Sequence, residues 1–112
     1  MASTMSFEIK VDNTDKVGEE FKRAVARALE ICGGKAETYA KKLCPVDTGR
    51  LRSSITHQLA SDGASVVVGS GTSYAGFVEL GTHKMKAQPY LRPAIEGHMS
   101  EFKSVIEKEL RS

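Results

Sequence analysis

Three histidines, one carboxylate set among apolar residues and two cysteines are the side chains of this chain best suited to chemistry. Histidines serve as metal ligands or general acid–base groups only when partners converge on them. His57 falls in an alternating stretch, His83 in a glycine-bounded loop and His98 in an amphipathic segment, with no HxH or HExxH spacing. Lone histidines in such settings are surface or edge residues. Glu79, between Val78 and Leu80, could act as a catalytic acid, but a carboxylate in apolar surroundings more often pairs with an arginine or caps a turn. Arg92 is the expected partner. "GSGTS" at 69–73 has the composition of a phosphate loop without its lysine, and the many Ser and Thr residues form no GxSxG elbow. Cys32 and Cys44 stand twelve apart without a CxxC, so two buried free thiols are expected. The residues therefore argue against an enzyme, and no cofactor or metal is expected.

Nucleic acid is the other chemistry to weigh. Lys41, Lys42, Arg50, Arg52, Lys84, Lys86 and Arg92 fall in the central half of the chain, interleaved with Tyr74, Phe77 and Tyr90. Basic groups beside aromatics can follow a phosphate backbone and stack bases. Here Asp47, Glu79 and Glu96 dilute the charge, and the formal net charge is only +2. A solvated basic face with weak, nonspecific attraction to DNA is the expectation.

The elements that would carry these groups are legible from periodicity. "SFEIKV" alternates Phe7, Ile9 and Val11 with polar residues, a half-buried strand. From Lys16 to Leu43, apolar positions at threes and fours mark one long amphipathic helix, with Asp15 as N-cap and Pro45 ending it. Gly33 and Gly34 interrupt that pattern and predict a bend or a close approach. "LRSSITHQLA" places Leu51, Ser53, Ile55, His57 and Leu59 on one face of a strand. With the "SDGAS" turn and "SVVVGS" it predicts a hairpin over 51–69. "SYAGFVEL" reads as a short helix, 81–89 as an exposed loop, and Tyr90 onward as one closing helix with Pro93 in its first turn. Its apolar face should hold Ile95, Met99, Phe102, Val105 or Ile106, and Leu110.

The expected fold class is α+β, a small antiparallel sheet of three or four strands packed by a long N-terminal helix and a C-terminal helix. The 112 residues suit a single domain, 1–112. No apolar run reaches the roughly 20 residues of a membrane span, and the N-terminus lacks a secretory pattern, so synthesis in the cytoplasm is expected.

Three separated motifs occur in one order: "CPVDTGRLRSSI", "YAGFVELGT" and "MKAQPYLRPAI". Together they resemble the tail-completion or neck proteins of long-tailed bacteriophages and prophages, also called head–tail joining or minor tail components. The likeness covers residues 45–95, and it departs from the common pattern at Gly76 and Leu80, where bulkier residues are usual. It implies a non-enzymatic virion protein that completes the tail and joins it to the head connector as a hexameric ring. The implied partners are other copies of itself, the tail tube protein and head–tail connector proteins, with nonspecific DNA contact in the channel and no membrane. A head-side neck or stopper protein, or a DNA-binding accessory protein, are the alternatives.

In that frame, 72–95 reads as a surface that meets neighbouring subunits. The expected interface residues are Arg50, Arg52, Tyr74 and Lys84, with Met85, Lys86, Tyr90 and Arg92. Pro45, Asp47 and Gly49 on one side, and Gly81, Pro89 and Pro93 on the other, are expected to set turns and stiffen the helix entry.

Overall fold

The computed structural model describes residues 5–11, 18–44, 50–72, 75–81 and 86–111. Asp15, the expected cap, lies outside them. Strand β1 (Met5–Lys10) is followed by helix α1 (Glu19–Leu43), a short helix α2 (Arg50–Ser54) and the hairpin β2 (Ile55–Leu59) and β3 (Ser65–Ser70). Helices α3 (Ala75–Leu80), α4 (Leu91–Glu96) and α5 (Met99–Arg111) complete the order. The α+β class holds, with a three-stranded antiparallel sheet in the order β1-β3-β2.

Period two in β1 puts Ile9 into the core and leaves Ser6, Glu8 and Lys10 outside. Val66 and Val68 of β3 and Ile55 of β2 face the same way and meet Val25, Leu29, Cys32, Ala36 and Ala40 of α1. Leu91, Ala94, Ile95 and Phe102 close the cluster from the C-terminal helices. Both cysteines are buried, and neither forms a disulfide. Glu19 and Glu20 in the first turn of α1 and Lys41 and Lys42 in its last complement the helix dipole. The hairpin turn uses Gly63 at φ 71°, with Asp62 Oδ1 accepting from the Ala64 backbone N–H at 3.0 Å.

Of the two outcomes expected at Gly33 and Gly34, close approach is the one found. Helix α1 runs unbroken, and a Cβ on Gly33 would lie 2.7 Å from Val66 Cγ2 and 2.8 Å from His57 Cδ2. The missing side chain lets the helix sit directly on the hairpin.

Three boundaries differ from expectation. Helix α1 starts at Glu19, with an extended Gly18 as its N-cap, instead of at Lys16. The strand expected from Leu51 begins only at Ile55, because 50–54 form a helical turn in which the Ser54 hydroxyl donates to the Leu51 carbonyl at 2.6 Å. Ser53 therefore does not share the strand face of Ile55. The single closing helix is two helices, parted at Gly97 and His98. The Gly97 N–H reaches back to the Pro93 carbonyl at 3.0 Å, whereas His98 N–H bonds Ile95, one residue nearer, at 3.2 Å. That tightening re-aims α5, so Met99 is 51% exposed instead of joining the apolar face.

Candidate assembly surfaces

The segment that joins α3 to α4 is anchored by one carboxylate. Glu79 is 3% exposed, and its Oε1 accepts from the backbone N–H groups of Tyr90 at 3.0 Å and Leu91 at 2.8 Å. Its Oε2 accepts from the Arg92 N–H at 3.1 Å. These are amides that the first turn of a helix leaves without intrahelical partners, so a side chain from α3 caps α4 from eleven residues upstream. Gly81 at φ 77° turns the chain out of α3, and the Gln88 N–H returns to the Val78 carbonyl at 2.8 Å. Pro93 lies in the first turn of α4.

The expected Glu79–Arg92 side-chain pair does not form. Only the Arg92 backbone meets Glu79, while its guanidinium Nε reaches Glu96 at 3.1 Å on an exposed surface. Tyr90 is also corrected. It is 0% exposed, packed in the core with its hydroxyl donating to the Ala75 carbonyl at 3.3 Å, so it supports the segment from beneath and offers no outer contact. Among the other expected interface residues, Lys86 and Arg92 are exposed and Arg52 is half-buried. Arg50 begins α2. Tyr74, Lys84 and Met85, like the turn residues Pro45, Asp47 and Gly49 and the loop residue His83, lie outside the described residues. Pro89 is exposed ahead of α4.

Polar chemistry concentrates instead along α1. The His57 ring lies between two carboxylates, Nε2 to Glu30 at 2.7 Å and Nδ1 to Glu37 at 2.8 Å. Burial opposes the charged ring, but the hydrogen bonds and charges of the two glutamates outweigh it and raise the His57 pKa. Burial likewise works against the Glu37 carboxylate, and the bonds from His57 and Lys41 overcome it, leaving that pKa lowered. Beside the close approach at Gly33, the His57 ring joined to Glu30 and Glu37 ties the hairpin to the helix. On the opposite flank Glu101 accepts from the Tyr39 hydroxyl at 2.6 Å and from Lys35 at 3.1 Å, with His98 stacked on Tyr39 at 3.7 Å between centroids.

Sequence reading passed over this array. Its signals were present: Glu30 and Glu37 stand seven apart, two helical turns, and His98, just before α5, stands three residues ahead of Glu101. What periodicity does not supply is the strand-to-helix register that places His57 opposite Gly33.

A third polar cluster lies where α1 ends. A groove of about 400 Å³ is lined by Glu37, Thr38, Lys41, Lys42 and Arg52. Lys41 is held by Glu37 at 3.0 Å, and the Nε of Arg52 is buried with no hydrogen-bond partner among the described residues. Exposed apolar side chains stand near both ends of the helix, Phe21 at 39% and Leu43 at 49%. Among the described residues no group of three or more His, Cys, Asp or Glu could hold a metal ion, and no helix is long and apolar enough to cross a membrane.

A protein-family model described as "Bacteriophage HK97-gp10, putative tail-component" matches residues 11–81, which takes in α1, α2, the hairpin and α3. No curated protein and no solved structure gives a significant match.

Proposed function

Since the chain belongs to the bacteriophage HK97-gp10-like family of tail components, and is thus a structural protein of the phage tail, we propose that it completes the tail and joins it to the head connector. In this reading six copies form a ring at the neck of the virion, a non-enzymatic part that meets the tail tube on one face and the connector on the other. A ring requires each copy to offer two different patches that fit one another head to tail. The observation that carries the proposal is the family match, which spans more than half of the chain. The motif "AQPYLRPAI" lies outside the matched residues, and Glu79 fixes its Tyr90–Arg92 backbone to α3. Backbone fixed before assembly lowers the ordering cost of association. Lys86 and Arg92, exposed along this segment, are the proposed contacts.

The test is electron microscopy of a lysate from the source phage or prophage with this gene inactivated. DNA-filled heads beside separate tails are expected. Abnormal tail lengths in the same fields would assign the protein to tail termination, and heads that lose their DNA would favour the head-side stopper role. Intact infectious particles would remove the proposal. The DNA-binding alternative predicts affinity for duplex DNA that falls steeply with salt.

A further inference from the structure

The groove at the end of α1 carries more positive charge than the described residues use. Lys41 is neutralised by Glu37, which His57 also engages. Lys42 is exposed, and neither it nor Arg52 has an ion pair among the described residues. Arg52 also holds its Nε–H in the interior without an acceptor among the described residues. A buried donor left unmade is unfavourable, and it is satisfied either by an acceptor entering the groove or by the guanidinium edge turning outward to meet one. The planar edge of Arg suits a carboxylate, and Lys42 adds a second positive charge.

We propose that this groove is a carboxylate site, filled in the ring by an acidic side chain of the neighbouring copy. This inference rests on the ring-forming reading above. Exposed Leu43 at the end of the same helix favours a protein occupant over nucleic acid, because a protein surface can cover it. The complementary patch stands at the other end of α1. Glu20 is exposed, has no ion pair among the described residues, and adjoins the exposed Phe21. Glu20 and Lys42 are separated by roughly six helical turns, so they lie on nearly the same face about 33 Å apart. One end of the helix thus offers an acid beside an apolar side chain, and the other offers bases beside an apolar side chain. Two different, matching ends on one rigid element are what head-to-tail closure needs.

The experiment is a charge swap followed by native mass spectrometry and sedimentation. The double variant Lys42→Glu with Arg52→Glu, and the variant Glu20→Arg, should each associate roughly tenfold more weakly than the parent protein. Mixed in equal amounts, they should recover an alternating assembly with an even number of copies. Circular dichroism checks folding, and the single variant Lys42→Glu, at an exposed position, keeps the test valid if the Arg52 change unfolds the chain. If the parent assembles and the swapped variants assemble equally well, the carboxylate site is wrong while the ring stands. If the parent remains monomeric up to about millimolar concentration, both fail, since a contact of even the weakest specific affinity would show there. A loss of duplex DNA binding on Lys42→Glu, with assembly unchanged, would replace the carboxylate by a nucleic-acid phosphate.

Discussion

Glu79 Oε1 lies 2.8 Å from the backbone nitrogen of Leu91, and that bond ties α3 to the start of α4 through a side chain that is almost fully buried. Three amides depend on this one carboxylate. Glu79→Ala should therefore lower stability by roughly 3 kcal/mol, because it strands buried donors as well as losing charge-assisted bonds. Arg92→Ala should change stability by no more than about 0.5 kcal/mol, since its side chain makes only an exposed pair with Glu96. Urea unfolding of the two variants separates the cases, and equal losses would restore a side-chain pair between them.

Adjacent glycines should respond with opposite signs. Gly33→Ala introduces a Cβ at 2.7 Å from Val66 Cγ2 and 2.8 Å from His57 Cδ2, and should destabilise by about 2 kcal/mol after the gain in helix propensity. At Gly34 the nearest atom to a new Cβ is His57 Cε1 at 4.0 Å. Gly34→Ala should stabilise by about 0.5 to 1 kcal/mol. Thermal melts of both variants test this, and a stabilised Gly33→Ala would mean that the helix stands further from the hairpin.

The His57 array sets a pH window. The His57 pKa is raised in the folded protein, so its contribution is fully present below the ordinary value of 6.5 and is lost as pH rises through the higher folded value. Glu37 is lowered, so its contribution is present above the ordinary 4.5 and is lost as pH falls through the folded value. Melting temperature should decline above neutrality in the parent, and that decline should be missing in His57→Gln. Identical pH profiles would show that the ring is not charged in the folded state.

Thiol reactivity gives a separate check on the core. Burial, with the nearby Glu101 charge, pushes the Cys32 thiol up to about 11, and Cys32 is 0% exposed. Burial raises Cys44 as well, partly offset by Arg52. Neither should react with a disulfide reagent at pH 8 until denaturant is added, since thiolate is the attacking species. Prompt modification of one thiol in the native protein would mean that its part of the core opens.

Strong, uninterrupted patterns carried the most information. The alternation of Phe7, Ile9 and Val11, the threes and fours of α1, and the Asp62-Gly63 turn each reflect one local physical demand, and each stands in the structure. Errors came where a short-range demand overrode a longer pattern: Ser54 closing a helical turn before β2, and Gly97 parting α4 from α5. For the surfaces, residue type alone misled. Tyr90 resembles an interface anchor by type but serves as core, and Glu79 resembles half of an ion pair but caps a helix. The Arg52 groove needs α1 and α2 side by side, a placement that single-segment patterns do not contain.

The strand order has a consequence for how the chain folds. Hairpin β2–β3 and helix α1 are near neighbours along the chain, but β1 adds to β3 at a distance, Lys10 opposite Ser65 and Met5 opposite Ser70. Strand β1 is synthesised before its partner and therefore has no place in the sheet until β3 has emerged. Until then its inward side chains, Phe7 and Ile9, remain uncovered. During that interval β3 keeps a free edge of backbone donors and acceptors, a template that the β1 of a second chain could also occupy at high concentration.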